Sequence, residues 1–152
     1  RYGLDFGFSN DETGLVAIYE TEKGDTIVQQ LIYKTKILPS QYPAELENAS
    51  VNHATLIVAD SARPEIIAEI KAHGFRIVGA DKNAGSVRRG IDRVKEKHIL
   101  YDGEDLEREY FSYKWRTTRT GDILDEPEDG NDHLMDALRY AIDDLGRQRF
   151  DF

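Results

Sequence analysis

The sequence contains no cysteine among its 152 residues. This absence excludes disulfide bonds and thiolate zinc sites, and it fits a reducing cytoplasm. No apolar run approaches the roughly 20 residues that a membrane-spanning helix needs, and no signal peptide is recognisable. We therefore expect no membrane partner. An initiator methionine is also missing, so we expect the chain to be a fragment of something longer.

Positive charge is scarce overall, since the formal net charge is −9. Taken alone, this total argues against nucleic acid as the partner. The local distribution differs, because residues 76–97 carry seven Lys or Arg against three acids, whereas residues 122–136 carry seven acids and no Lys or Arg. Local fields guide binding more than the total charge does. The pattern suits an enzyme that holds cations and grips phosphates, and a solvated acidic surface is the alternative that composition leaves open.

The first part of the chain predicts an antiparallel meander. Residues 2–8, 13–20 and 26–33 are short segments rich in aromatic and branched residues, and turn signals separate them. A short helix is expected over residues 40–50. The length of the chain suits one domain covering residues 1–152.

The second part predicts alternating strands and helices. Residues 55–59 and 75–80 are apolar runs typical of strands buried on both faces. Helices are expected between them, over the basic residues 86–97, over 104–112 and over 132–145. Residues 113–117 and 122–126 are expected to pair as a late β-hairpin. The predicted class is α/β, a mixed sheet of a three-strand antiparallel meander plus two parallel strands, with helices on both faces.

Three separated acids are the candidate chemistry. Asp5 lies in the first strand between Gly3 and Gly7, which share its face and leave space for a ligand or a backbone to approach. Asp60 ends an apolar strand, at the sheet edge where ligands bind in such folds. Asp136 lies deeper in the last helix than Asp132, three residues after His133 and therefore close to it. Each feature alone has a plain structural explanation: a bulged strand, a helix-start acid or a histidine satisfied by a carbonyl.

Taken together, the three acids suit two-metal phosphodiester hydrolysis. Mg²⁺ and Mn²⁺ prefer carboxylate and water oxygens. Two such ions would activate the attacking water and stabilise the leaving oxygen.

Three segments resemble the signature blocks of the nuclease domains of large terminase subunits of tailed bacteriophages. They are GLDFGF at residues 3–8, VADSA at 58–62 and DHLMDALRY at 132–140. GSVRRGI at 85–91 and YKW at 113–115 are also similar to that family. The resemblance implies an RNase H-like fold that cuts double-stranded viral DNA during genome packaging. It implies Asp5, Asp60 and Asp136 as ligands of two Mg²⁺ or Mn²⁺ ions, with His133 beside the metals as a further catalytic residue.

The family also carries a packaging ATPase before the nuclease, and this chain has no phosphate-binding Gly-Lys-Ser/Thr loop. The resemblance therefore implies an excised nuclease half, a monomer by itself. Its full-length parent would work with an ATPase domain, a small terminase subunit and a portal, in the bacterial host cytoplasm and transiently at the procapsid.

DNA contacts are expected from basic side chains, because phosphate contacts position a protein on DNA. The candidates are Lys82, Arg88, Arg89, Arg93, Arg63 and Lys114. No base-reading motif stands out, so little sequence specificity is expected. Two alternatives stay open: another RNase H-like nuclease, such as a resolvase or transposase core, and a non-catalytic RNase H-like interaction module.

Overall fold

The structure, a computed structural model, describes residues 1–119 and 132–148. Within those ranges the chain forms one six-stranded sheet and five α-helices. The strands are β1 (Tyr2–Asp5), β2 (Thr13–Glu20), β3 (Thr26–Lys34), β4 (Ile57–Ala59), β5 (Ile77–Gly79) and β6 (Ile99–Asp102). The helices are α1 (Tyr42–Asn48), α2 (Pro64–Ala72), α3 (Ser86–Lys95), α4 (Glu104–Arg119) and α5 (His133–Gln148).

The sheet has the mixed topology that the sequence predicts. Its strand order is β5-β4-β1-β2-β3-β6. Strands β1, β2 and β3 form the antiparallel meander, β4 pairs parallel to β1, and β5 pairs parallel to β4. Because β1 and β4 run in the same direction, their carboxyl ends lie side by side at one edge of the sheet.

Helices cover both faces of the sheet, as expected. On one face, Leu4 and Ile57 pack with Leu46 of α1 and Ile66 of α2. On the other face, a second cluster joins β2 and β3 to α3, α4 and α5. None of the helices in the described ranges combines the length and apolar composition that a membrane span needs.

Strand β6 is a sixth strand that the sequence analysis did not predict. It is the outermost strand on one side of the sheet and pairs parallel to β3, with Thr26 opposite Ile99. Only four residues long, it alternates between half-buried and exposed positions. A strand this short lacks the continuous apolar run that identified β4.

The predicted late β-hairpin is wrong for its first strand, because residues 113–117 continue helix α4. Leu106, Glu109 and Tyr113 are all buried and recur at three- and four-residue spacing, so one face of the helix turns toward the core. The aromatic residues suggested a strand by propensity, but packing in the α3–α5 cluster overrides that preference. The second predicted strand, residues 122–126, lies outside the described residues.

Helix α5 lies directly against the backbones of β1 and β2. A side chain at Gly3 would overlap the carbonyl oxygen of Ala137, and one at Gly14 would come within 2.9 Å of the carbonyl oxygen of His133. Gly3 is therefore explained by a close backbone approach, one of the two explanations that the sequence left open. This approach sets the start of α5 beside the end of β1.

Candidate active site

Asp5 ends strand β1 and faces α5. As the alternation of strand side chains predicts, Leu4 and Phe6 point into the cluster on the opposite face. Asp5 is buried, with 6% of its surface exposed. Burial raises its pKa to about 6; the negative charges of Asp136 and Asp60 add to the rise, and the hydrogen bond from His133 opposes it. Asp5 therefore lies in the combined field of the other two candidate acids.

Asp60 follows β4 directly and is held beside the end of β1. Its backbone N–H donates to the carbonyl of Leu4 over 2.9 Å. Its side chain is nearly buried, and Oδ1 accepts the backbone N–H of Ala62 over 2.9 Å. The same oxygen is ion-paired with the ammonium group of Lys82. The parallel pairing of β1 and β4 thus places this acid at the edge that Asp5 occupies.

Asp136 lies in the first turn of α5. Its backbone N–H donates to the carbonyl of Asp132 over 2.7 Å, which closes the first turn of the helix. Burial raises the pKa of the Asp136 carboxyl, while the guanidinium of Arg139, 3.2 Å from Oδ1, lowers it. The side chain of Asp136 is 28% exposed, so it can still be reached by a ligand.

His133 stands between two acids at the start of α5. Its Nδ1 lies 2.9 Å from Oδ2 of Asp5, and its Nε2 lies 3.8 Å from Oε2 of Glu12. The hydrogen bond to Asp5 raises the pKa of His133 to about 9, against the opposing effect of burial. The imidazole is therefore protonated at neutral pH, and Asp5 accepts its Nδ1–H.

Two residues beside the acids received no role from the sequence. Tyr140 is buried, and burial together with the charges of Asp5, Asp136 and Asp60 raises the pKa of its hydroxyl. Arg139 pairs with Asp136 and lies over the Tyr140 ring, 4.9 Å from its centroid. The helical spacing in the sequence could have identified both residues, because positions three and four after Asp136 lie on the same face of the helix as Asp136.

Glu109 is a further buried acid that the sequence did not identify. It projects from α4, is 3% exposed, and accepts the backbone N–H of Leu134 at both oxygens, over 3.2 and 2.9 Å. Burial raises its pKa to about 8, against the effect of that hydrogen bond. Glu109 therefore caps the first turn of α5 and fixes the segment that carries His133 and Asp136. No local pattern links residues that lie 25 positions apart.

Each candidate acid has a cationic partner in this structure. His133 pairs with Asp5, Lys82 with Asp60 and Arg139 with Asp136. Within residues 1–119 and 132–148, no three His, Asp or Glu side chains are already gathered as a metal-binding group. The donor chemistry nonetheless suits a divalent ion, because three carboxylates supply the oxygen ligands that Mg²⁺ and Mn²⁺ prefer.

The predicted DNA-binding residues differ in their exposure and in the partners that they contact. Arg89 donates two hydrogen bonds of 2.8 Å to Asp143, and Arg93 pairs with the same carboxylate over 2.9 Å, so both fasten α3 to α5. Arg63 pairs with Glu65 and lies over the Phe8 ring, and Arg88 is exposed. The Lys114 side chain lies outside the described part of the chain. That these residues contact DNA stays a prediction.

Comparisons of sequence give one consistent family. The model of the terminase RNase H-like domain matches residues 5–144. The chain is 28% identical over 148 residues to the PBSX phage terminase large subunit of Bacillus subtilis (strain 168), covering 95% of this chain and 34% of that protein. It is 30% identical over 152 residues to the large terminase subunit of Bacillus phage SPP1, covering 94% and 35% respectively. The chain thus spans about a third of the length of the curated relatives it matches.

Solved structures agree with that family. The nuclease domain of the SPP1 large terminase, solved with bound Mn, matches with a TM-score of 0.71 and 25% identity over 95% of this chain and 85% of that one. A large terminase from a thermophilic bacteriophage matches at 0.66 and 20% identity, over 95% and 39%. A yeast mitochondrial Holliday junction resolvase matches at 0.52 and 14% identity, over 93% and 77%. The last two show the fold alone, and the predicted RNase H-like class is confirmed.

Proposed function

Because the chain belongs to the terminase RNase H-like domain family, we propose that it is a metal-dependent endonuclease that cleaves double-stranded DNA with little sequence specificity. The observation that carries the proposal is geometric: Asp5 and Asp60 lie at adjacent carboxyl ends of the parallel strands β1 and β4, and α5, which carries Asp136, packs directly against β1 at Gly3. The three carboxylates offer the oxygen ligands that Mg²⁺ and Mn²⁺ prefer. Mn in a relative's nuclease domain supports the same ligand class.

Asp5, Asp60 and Asp136 would hold two Mg²⁺ or Mn²⁺ ions. Ions bound there would supply an activated water and stabilisation of the leaving oxygen. The fold would position these three acids. Strands β1 and β4 carry Asp5 and Asp60 at adjacent strand ends, and α5, which carries Asp136, packs against β1. Glu109 fixes the first turn of α5 through the Leu134 N–H.

His133 would act as a proton donor rather than as a metal ligand. Its Nδ1–H is committed to Asp5, which leaves Nε2–H to reach the scissile phosphate or the leaving oxygen. A group whose pKa is raised to about 9 holds its proton at neutral pH, which suits a general acid better than a general base.

We place this activity in viral genome packaging, in the bacterial host cytoplasm and transiently at a procapsid. The relatives that support this are about three times longer than the present chain. The expected partners are therefore an ATPase domain in the full-length protein, a small terminase subunit, a portal and the DNA itself. The domain by itself is expected to be a monomer.

The test combines metal titration with plasmid cleavage. The parent chain should bind Mn²⁺ saturably in calorimetry and should linearise plasmid DNA only with Mg²⁺ or Mn²⁺ present. Asp60→Asn and Asp136→Asn should lose both properties and keep the parent's circular dichroism. Asp25→Asn is the matched control, since Asp25 pairs with His98 at the other end of the sheet.

Two results would overturn the proposal. Absence of saturable Mn²⁺ binding by the parent would indicate a non-catalytic interaction module. Cleavage of four-way junctions with no cleavage of linear duplex would indicate a resolvase instead.

A further inference from the structure

We propose that Lys82 competes with metal for Asp60 and moves to a DNA phosphate when metal binds. This inference rests on the proposed function, because it assumes that Asp60 is a metal ligand. It would give Lys82 two alternate anionic partners, a carboxylate in the metal-free protein and a phosphodiester in the loaded complex.

The contact itself follows from the topology of the sheet. Strands β4 and β5 run parallel, with Ala59 opposite Gly79, and the N–H of Ala80 donates to the carbonyl of Ala59 over 2.7 Å. The residues that follow both strands therefore leave the sheet at the same edge. Asp60 is the first residue after β4, and Lys82 belongs to the loop between β5 and α3.

The ion pair between Lys82 and Asp60 leaves no free acceptor position on Oδ1 of Asp60. Oδ1 of Asp60 accepts the Ala62 N–H and is also paired with the Lys82 ammonium. A carboxylate oxygen has about two acceptor positions, so both positions of Oδ1 are occupied. A divalent ion that takes this oxygen must displace one donor. The ammonium is the one that can leave, because the Ala62 N–H is fixed by the backbone.

The position of Lys82 allows its ammonium group to leave the Asp60 carboxylate. Its side chain is 45% exposed, whereas that of Asp60 is 10% exposed, so the ammonium is open to solvent and the carboxylate is enclosed by the protein. Pairs that are partly open to water are weak, and a cation of higher charge competes well for the same oxygen. The released ammonium would carry its charge on a flexible stem, which suits contact with a phosphate.

The other acids of the site do not offer the same exchange. Asp136 is paired with Arg139, whose side chain is only 10% exposed and which packs against Gly90. Asp5 is paired with His133, and the side chains of both residues are largely buried. Lys82 is thus the most exposed of the three cationic partners. Lys82 is therefore the partner best placed to exchange between the site and solvent.

The test substitutes Lys82→Met, which keeps most of the stem and removes the charge. Mn²⁺ is titrated into the metal-free chain by calorimetry, and initial rates of duplex cleavage are then measured against DNA concentration and salt. Lys82→Arg is the conservative rescue. Lys97→Met is the matched control, because Lys97 pairs with Glu20 over 3.3 Å at the opposite end of the sheet.

Lys82→Met should tighten Mn²⁺ binding about 2- to 5-fold, the scale of one weak ion pair. It should also raise the KM for DNA with little change in kcat, and lower the salt slope of log(kcat/KM) by about 0.9, one phosphate contact. Lys82→Arg should restore both parent values, and Lys97→Met should match the parent throughout. A merely structural lysine would weaken both binding events together.

Equal Mn²⁺ affinity in Lys82→Met and Lys97→Met would overturn the competition. An unchanged salt slope in Lys82→Met would overturn the transfer to phosphate. Asp60→Asn separates these failures from failure of the proposed function. If Asp60→Asn abolishes Mn²⁺ binding while Lys82→Met does not alter it, the metal site stands and only the inference about Lys82 is wrong.

Discussion

At the scale of single residues, the charge of His133 is the most informative feature of the site. In the metal-free protein its contact with Asp5 raises the pKa of the imidazole to about 9 and keeps it protonated through neutral pH. A protonated imidazole repels a divalent ion and can donate a proton to a leaving oxygen. This combination argues for a role in proton transfer and against direct metal ligation.

We therefore predict that His133→Ala lowers the cleavage rate by roughly 10²- to 10⁴-fold, the usual contribution of a general acid or base, while Mn²⁺ affinity stays equal or becomes slightly tighter. Divalent ions bound at Asp5 should lower the pKa of His133 from the value of about 9 in the metal-free protein. The parent rate should therefore fall as pH rises through a value below about 9, and the variant should lack that fall. Rate-against-pH profiles and Mn²⁺ calorimetry measure both effects. His98→Ala, which removes an exposed histidine paired with Asp25, is the control, and a His133→Ala protein that cleaves at the parent rate would assign the histidine a structural role.

At the scale of elements, the contact between α5 and β1 decides whether the three acids meet. Gly3 allows this contact, because any side chain there would overlap the Ala137 carbonyl. Gly3→Ala should force α5 outward, cost about 1–3 kcal/mol of stability and abolish Mn²⁺-dependent cleavage. Urea unfolding and plasmid cleavage measure the two effects.

Gly24→Ala is the matched control for that substitution. Gly24 has a φ of +88° and no neighbour within 4 Å of an added methyl group, so alanine there should cost about 1–2 kcal/mol through backbone strain alone. The control should lose comparable stability and keep cleavage. Equal cleavage by both variants would show that the position of α5 does not control the site.

Glu109 of α4, which accepts the Leu134 N–H at the start of α5, makes the stability of the fold depend on pH. Glu109 titrates near 4.5 in an unfolded chain and at about 8 in the folded protein, so its contribution is fully present below about pH 4.5 and is lost as pH rises through 8. The raised pKa values of Asp5 and His133 act in the same direction. The metal-free protein should therefore lose stability steadily between about pH 5 and pH 9.

Glu109→Gln should remove part of that loss. Glutamine can still accept the Leu134 N–H but does not ionise, so the variant should match the parent near pH 5 and exceed it by a few kcal/mol at most near pH 9. Urea unfolding at several pH values with chelator present is the measurement. Parallel stability curves for parent and variant would show that Glu109 does not titrate in this range.

Elements with a strong local pattern were predictable from sequence, and those set by distant contacts were not. The apolar run ending at Asp60 gave β4, and the spacing from Leu134 to Leu145 gave α5. Strand β6 escaped because it is short and half-exposed, and the second half of α4 escaped because its aromatic residues favour strands by propensity. The pairing of Arg89 with Asp143 joins residues 54 positions apart, which no local pattern records.

At the scale of the whole molecule, a net charge of −9 opposes approach to DNA. Part of the positive charge on α3 is also neutralised internally, because Arg89 and Arg93 both pair with Asp143. We therefore expect weak, salt-sensitive binding by this domain, in which each neutralised phosphate contributes a slope of about −0.9 in log K against log salt.

Arg88 and Arg89 should respond differently to charge reversal. Arg88 is exposed on α3, so Arg88→Glu should lower kcat/KM at limiting DNA, with a salt slope smaller by about 1. Arg89→Glu should lower the melting temperature as well, because it places a carboxylate against Asp143. Calorimetry and cleavage at several salt concentrations distinguish them. An Arg88→Glu protein with the parent's kcat/KM would remove this face of α3 from the DNA interface.

A crystal of this chain soaked with Mn²⁺ tests the central claim most directly. The anomalous difference map should show one or two ions with carboxylate oxygens of Asp5, Asp60 and Asp136 at about 2.0–2.6 Å, and Lys82 should have left Asp60. A map with no ion at these acids, in a crystal soaked at saturating Mn²⁺, would contradict the metal centre. So would carboxylates held more than about 10 Å apart, beyond the span that two bridged ions can cover.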